Sequence, residues 1–185
     1  APDGSAALTG WVPPSTLLSP AHAGAMAYLQ QVARAFVAIA RDAGLRVLFQ
    51  IGEPWWWVQP DSGAPCLYDN ATRAALGGSP AIIADMRSPI DEAQRNVLDA
   101  AGALLAQSTA ALAQSVHDAA GGAAEILLLA FTPTVLNPRM PELYRANLPT
   151  GWAWPAFDRL QLEDYDWLTA GADGLFWFNR ITAPG

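Results

Sequence analysis

The chain has 185 residues, 52% of them hydrophobic, which suits one domain with a core and excludes a disordered protein. Its formal net charge of −7 argues against binding to the phosphate backbone of nucleic acid. One cysteine and two histidines exclude an internal disulfide and argue against a metal site, so we expect neither metal nor cofactor. No apolar run approaches the roughly 18 to 20 residues that span a bilayer, so we expect no membrane partner.

The amino terminus, Ala1–Gly4, has neither the charged region nor the apolar region of a signal peptide. It also lacks an initiator Met, from which we expect a processed or excised piece of a longer protein. No linker or internal repeat divides the sequence, so we expect a single domain over residues 1–185.

The first third of the chain predicts a strand, a helix and a second strand in succession. Residues Ala7–Val12 form a short apolar run that predicts a strand. Ser19–Pro20 is typical of a helix start, and apolar residues at steps of three and four predict an amphipathic helix to about Ala43. A buried strand, Arg46–Ile51, follows at once. A helix followed directly by a non-alternating strand is half of a βαβ unit.

The remainder repeats this order of helix and then strand. Ser88–Asp91 predicts the start of a long, alanine-rich helix, with Asp91 at the third capping-box position, and Gly121–Gly122 predicts its end. Two more strands follow, over Ile126–Phe131 and Leu160–Leu162. Weaker signals predict a short helix over Asn70–Leu76 and brief strands over Pro80–Ala84 and Gly174–Phe178.

Short connections lead from helices into strands, whereas long loops rich in Gly, Pro and aromatic residues leave the strands. This asymmetry is typical of the active face of a (β/α) barrel, but a complete barrel usually needs about 250 residues. The sequence therefore predicts an α/β fold with parallel strands and outer helices. This fold is one of three kinds: part of a TIM-barrel-like fold, a reduced barrel, or an open α/β sheet. We expect Arg46–Ile51, Ile126–Phe131 and Leu160–Leu162 to be parallel neighbours, with both long helices packed outside.

The segment Gly52–Trp57 carries the strongest functional signal. Glu53 ends a predicted strand, Pro54 stops the ladder, and three indoles follow at Trp55, Trp56 and Trp57. Indole rings stack on sugar rings, and a carboxyl group at a strand end can act as acid, base or nucleophile. The alternative is that the indoles simply fill the core. If they form a sugar site, at least one of them exposes a ring face in a concave site.

A second group of acids, Glu163, Asp164 and Asp166, lies where another strand ends. Two carboxylates at one face of a barrel can lie some 5 to 9.5 Å apart, the range of retaining and inverting glycosidases. In that interpretation Glu53 is the general acid, and Glu163 or Asp166 is the nucleophile or base. The alternative is that these acids cap a helix or lie in solvent.

Three motifs together, Gly52–Trp57, Pro65–Asp69 and Leu160–Trp167, resemble a known group. They are similar to the glycoside-hydrolase-like TIM-barrel domain of tailed-phage tail proteins, of the non-contractile tail sheath type. The resemblance implies a location in the virion tail of a phage or prophage and other tail subunits as partners. It also implies a site built from Glu53 and the group Glu163–Asp166. We further expect Tyr165 and Trp167, with the three indoles, to bind the substrate.

Two functions follow as hypotheses. The first is a structural tail module that contacts bacterial surface glycan or peptidoglycan with weak or lost turnover. The second is an active glycosidase that uses paired carboxylates, and an α/β enzyme unrelated to phages is a third, less favoured hypothesis. Acids that converge in an open cleft favour the enzyme, whereas acids paired with arginines favour the structural module.

Overall fold

The computed structural model describes residues 1–9, 12–52 and 54–163. The predicted last strand, Gly174–Phe178, therefore lies outside the described residues. In chain order the elements are α1 (Ala23–Asp42), β1 (Val47–Ile51), α2 (Asn70–Ala75), α3 (Glu92–Ala120), β2 (Ala124–Phe131), α4 (Thr132–Val135), α5 (Tyr144–Asn147), a 3-10 helix (Thr150–Trp152) and β3 (Arg159–Glu163).

The three strands form one parallel sheet in the order β1-β2-β3, which confirms the predicted arrangement. The register aligns Ile51 of β1 with Leu128 of β2, and Leu128 with Leu160 of β3. Parallel strands need crossover connections, and α3 supplies the one between β1 and β2. The described residues thus form a three-stranded parallel α/β sheet, which fits part of an α/β barrel.

Both long helices pack on the same face of this sheet and against each other. Their apolar faces meet the side chains of alternate strand residues, because successive strand residues point to opposite faces. We call this layer the sheet core. Its buried residues are Ala33, Val37, Val47, Ile51, Ala113, Val116, Ala120, Ile126, Leu128 and Phe157.

The start of α1 differs from the prediction. The helix begins after His22, whose Nδ1 accepts a hydrogen bond from the amide of Ala25 at 3.0 Å. Ser19 was expected to cap the helix, but its hydroxyl lies 3.1 Å from the hydroxyl of Thr72. The side chain of Ser19, which the local sequence predicted as the cap of α1, thus forms a tertiary contact with Thr72 instead.

The long helix α3 has the predicted length and end but a different capping box. Asp91 is the N-cap residue itself, and Gln94 occupies the third helical position and bonds back to the Asp91 amide at 3.0 Å. The predicted end at Gly121 is confirmed, with a left-handed φ of 67° that favours glycine.

Two predicted strands do not form among the described residues. Residues Pro80–Ala84 form an irregular segment in which the amide of Ile83 donates to the hydroxyl of Tyr68 at 2.8 Å. In the amino-terminal run Ala7–Val12, residues 10 and 11 lie outside the described ranges, and the described residues form a single bridge between Leu8 and Thr16. In both places hydrogen bonds to neighbouring loops replace the ladder of a sheet.

A second core forms where loops cover the first half of α3. We call it the loop core. Its residues are Trp56, Leu67, Tyr68, Ile83, Met86, Ile90, Val97, Leu98, Ala101, Leu105, Leu143 and Ala146. The backbone of α5 approaches α3 closely at Gly102, where a Cβ atom would lie 2.3 Å from the carbonyl oxygen of Arg145. Glycine therefore sets the distance between the two helices.

Candidate functional site

The carboxyl ends of β2 and β3 lie side by side. Phe131 ends β2 and is aligned with Glu163, the last residue of β3. The hydroxyl of Thr132 donates to the backbone carbonyl of Glu163 at 3.2 Å and ties the two strand ends together. The side chain of Glu163 is half-buried, so the sheet places a carboxylate and an aromatic ring at the same edge.

Two indoles of the Gly52–Trp57 segment join this edge. The ring of Trp55 stacks on Phe131 with centroids 5.5 Å apart, and Trp57 lies 6.5 Å from Phe131 and 6.2 Å from Trp55. We call these three residues the aromatic cluster. Trp55 is only 5% exposed, whereas Trp57 keeps part of its surface accessible. The cluster is thus mainly packed against itself.

The indole N–H groups of Trp55 and Trp57 are both buried, and neither has a hydrogen-bond acceptor in the described part of the chain. Buried donors are nearly always paired in folded proteins, because an unpaired one costs the full desolvation of the group. These two donors are therefore the least satisfied polar atoms of this edge.

Trp56 points the opposite way and fills the loop core. It is 2% exposed, and its indole donates to the carbonyl of Ala101 at 3.0 Å. Its backbone is held by Asn147, which accepts from the Trp56 amide at 2.7 Å and donates to the Trp56 carbonyl at 3.0 Å. Trp56 therefore acts as a core residue, as the alternative interpretation of this segment expected.

A concave cavity of about 430 Å³ borders the aromatic cluster. Trp55 and Trp57 line it together with polar residues from two loops, among them Ser19 and Asp69. Packing around its carboxyl group raises the pKa of Asp69, but hydrogen bonds from Thr72 and from backbone amides outweigh this and lower it overall. Asp69 is therefore ionised at neutral pH and supplies a fixed negative charge beside the indoles. Sequence reasoning named Pro65–Asp69 as part of the family resemblance but did not place Ser19 or Asp69 beside the indoles, because both residues reach them only through tertiary packing.

The family model described as non-contractile tail sheath protein TIM barrel matches residues 1–179. The chain belongs to this tail sheath TIM-barrel family. Membership gives the domain a structural role in the tail of a phage virion, with other tail subunits as partners. No curated protein matches the chain, and no solved structure does.

The predicted resemblance to tail sheath barrels is thereby confirmed, and the predicted site of this tail sheath domain is described only in part. Glu163 and the three indoles are described, whereas Glu53, Tyr165, Asp166 and Trp167 lie outside the described residues, as does Asp164. The convergence of Glu53 with a second acid consequently stays a prediction.

The tail sheath domain pairs another acid with arginines. Glu125 forms ion pairs with both Arg46 and Arg159 on the face of the sheet away from the helices. The amide of Gln50 donates to Gln161 across the same face at 2.6 Å. The ion pairs of Glu125 lie at the amino ends of the strands, at the opposite end of the sheet from Glu163, and the glutamine pair lies farther along the strands.

Other candidate groups of the tail sheath domain have structural roles. Arg87 pairs with Asp85 at 2.7 Å, and this contact holds the pKa of Asp85 below its usual value. Burial raises the pKa of the Cys66 thiol, which opposes formation of a reactive thiolate. Across the described ranges, no group of three or more Cys, His, Asp or Glu side chains is arranged to hold a metal ion. Within the same ranges, no helix has both the length and the apolar character needed to cross a bilayer.

Proposed function

We propose that this domain is a structural module of the non-contractile tail sheath. We further propose that the cavity of about 430 Å³ beside its aromatic cluster contacts bacterial surface glycan or peptidoglycan, with weak or no turnover. The observation that carries the structural role is the use of the indoles. Trp55 and Trp56 are 5% and 2% exposed and bury their rings in the aromatic cluster and the loop core. Rings that hold the domain together cannot also present open faces to a sugar.

The polar contacts of the segment support the same function. Asn147 holds the Trp56 backbone from both sides, so the three indoles stand on a rigid support. Close-packed interiors have low compressibility, which suits a domain with a structural role in a tail that does not contract.

Immunogold labelling of virions tests the structural function. Antibody raised against the 185-residue chain is expected to label the tail along its length, at regular intervals. Preimmune serum and antibody absorbed with the purified chain are the controls. Label confined to the capsid or the tail tip, or found only in lysate without virions, would contradict the proposal.

Glycan contact rests on a separate observation. Trp57 is only half-buried and lines the 430 Å³ cavity, beside the ionised Asp69 and the hydroxyl of Ser19. One indole face with a few hydrogen-bonding groups is the minimum that a sugar ring requires. In this proposal Trp57, Tyr165 and Trp167 contact the sugar. If turnover occurs, Glu53 is the acid and Glu163 or Asp166 its partner.

Incubation with bacterial cell-wall and capsular glycans separates binding from hydrolysis. If the domain cleaves glycan, Glu53→Gln is expected to lower the release of reducing ends by about 10²- to 10⁴-fold, because it removes proton transfer but keeps the shape. Glu92→Gln, in the first turn of α3, is the matched control. Without cleavage, Trp57→Ala is expected to abolish glycan-induced quenching of tryptophan fluorescence. A wild-type chain that neither cleaves nor responds to any glycan would remove the glycan function and leave the structural one.

A further inference from the structure

A second concave space lies beside the cavity that borders the aromatic cluster. It has a volume of about 460 Å³ and runs along the first turns of α1. Leu17, Leu18, Ser19 and Asp69 line both this space and the 430 Å³ cavity, so the two adjoin along a shared edge. We call the second space the α1 groove.

The wall of the α1 groove opposite this edge ends in an accessible aromatic ring. His22, Ala25 and Tyr28 line it and follow one another at steps of three, so their side chains share one side of the helix. Ala25 is too small to cover the ring of Tyr28, which is 61% exposed. Tyr28 therefore presents a ring face to a concave surface, as a sugar platform requires.

The imidazole of His22 supplies a hydrogen-bond donor to the same groove. Its Nδ1 accepts from the amide of Ala25 at 3.0 Å, so the neutral ring carries its proton on Nε2. Gly24 leaves room for this ring, because a Cβ atom there would lie 3.1 Å from Cε1 of His22. The residue that caps α1 is thus held in a fixed tautomer with an N–H group to donate.

The edge shared by the two spaces supplies acceptors. The carboxylate of Asp69 accepts from the amide of Ala71 at 3.0 Å and from the hydroxyl of Thr72 at 2.5 Å, which fix its position. The hydroxyl of Ser19 lies 3.1 Å from that of Thr72, beside the carboxylate. An aromatic ring with a donor and an acceptor nearby suits a sugar, because the ring stacks on its C–H face while the polar groups bind its hydroxyls.

We propose that the α1 groove is a second sugar subsite and that the ligand is a linear polysaccharide running from Trp57 to Tyr28. Tyr28 stacks on one sugar ring, and His22 donates to a hydroxyl of that sugar. Asp69 accepts from hydroxyls at the shared edge, where the chain passes from one space to the other. This subsite rests on the proposed glycan contact and specifies its ligand as a polymer rather than a single sugar.

Isothermal titration calorimetry with oligosaccharides of increasing length tests the subsite. Matched series of one to six sugars, prepared from the glycan strands of peptidoglycan and from capsular polysaccharide, distinguish the two sources. For one series the affinity of the wild type is expected to rise by about tenfold at the length that reaches both subsites. Tyr28→Ala is expected to lose this rise and to keep the affinity for the shortest members.

His22→Ser examines the polar part of the subsite. Serine keeps a cap for α1 but lacks the reach of Nε2–H, so the rise in affinity should shrink while the circular dichroism spectrum stays unchanged. Tyr144→Ala is the matched control, because it removes a tyrosine that is 42% exposed on α5 and lines neither space. This control should bind every length as the wild type does.

The outcomes separate the subsite from the glycan contact on which it rests. A wild type that binds all lengths of a series with equal affinity overturns the second subsite and leaves the glycan contact standing. A Tyr28→Ala variant that keeps the full rise overturns the subsite as well. A wild type that binds no member of either series removes both the glycan contact and the subsite.

Discussion

The loop core and the sheet differ in a way that their secondary structure does not suggest. Leu67, in an irregular segment, is completely buried, whereas Leu48 and Leu160, in strands, are 57% and 56% exposed. Irregular segments are therefore as completely buried as the central strand β2, where Ile126 and Leu128 are 0% exposed, whereas β1 and β3 expose large side chains. Regular hydrogen bonding within a sheet satisfies the backbone, but it covers side chains only when neighbouring elements are present on both faces and edges.

The loop core reaches this burial because side chains satisfy its backbone. Asn147 pairs with both backbone groups of Trp56, and the hydroxyl of Tyr68 connects the carbonyl of Ala81 with the amide of Ile83. Buried loops must find such partners one by one, because they have no ladder. Between the described strands, by contrast, the ladders β1-β2 and β2-β3 pair the backbone groups directly.

The largest expected effect is the difference in the free energy of unfolding between a substitution at a loop leucine and one at a strand leucine. Leu67→Ala should lower the free energy of unfolding by about 2–5 kcal/mol, since it leaves a cavity in a closed core. Leu48→Ala should change it by less than about 1 kcal/mol, since its side chain is mostly in solvent. Urea unfolding measures both. Equal losses would show that the side chain of Leu48 is covered in the folded chain.

The next largest effect concerns the support of the three indoles. Asn147→Ala should lower the free energy of unfolding by about 2–4 kcal/mol, because the amide and carbonyl of Trp56 lose their partners while buried. The tryptophan fluorescence should also shift, since the segment that carries Trp55 and Trp57 is released. Asn96→Ala, at an exposed residue of α3, is the control and should change stability by less than about 0.5 kcal/mol. An unchanged fluorescence spectrum would argue against this support.

The smallest effect concerns the cap of α2 beside the cavity. Asp69 accepts from the amides of Ala71 and Thr72, so Asp69→Ala should cost about 0.5–1 kcal/mol at pH 7. Because the folded state lowers the pKa of Asp69, its contribution is present above the ordinary value of 3.8 and is lost as pH falls through the lowered one. Urea unfolding at pH 7 and below pH 3 should therefore show the difference only at the higher pH. Asp42→Ala is the control, and a difference that persists in acid would contradict the ionic cap.

Local patterns predicted the parts of the fold that depend on local sequence. The steps of three and four in α1, the stop at Gly121 and the apolar runs of the three strands lead directly to the observed elements. The sequence also predicted the parallel arrangement of the three strands, because a helix between two buried strands permits few other connections.

The burial of the loops did not follow, because it depends on partners far away in sequence. Ile83 was predicted in a strand, yet its amide bonds to the hydroxyl of Tyr68, fifteen residues earlier. Ser19 was predicted as a helix cap, yet it contacts Thr72. The same limit applies to the site. The sequence identified the three indoles as candidates, but contacts with Phe131 and Asn147, distant in sequence, decide that Trp55 and Trp57 join the aromatic cluster and that Trp56 joins the loop core.

Hydrogen exchange tests the contrast between the loop core and the sheet most directly. The amides of Trp56 and Met86 bond to Asn147 and to the carbonyl of Gly63, at 2.7 and 2.8 Å, and should exchange slowly. The β1 amides that face away from β2 have no strand partner among the described residues and should exchange fast. Outer β1 amides that are as protected as Trp56 would contradict the account.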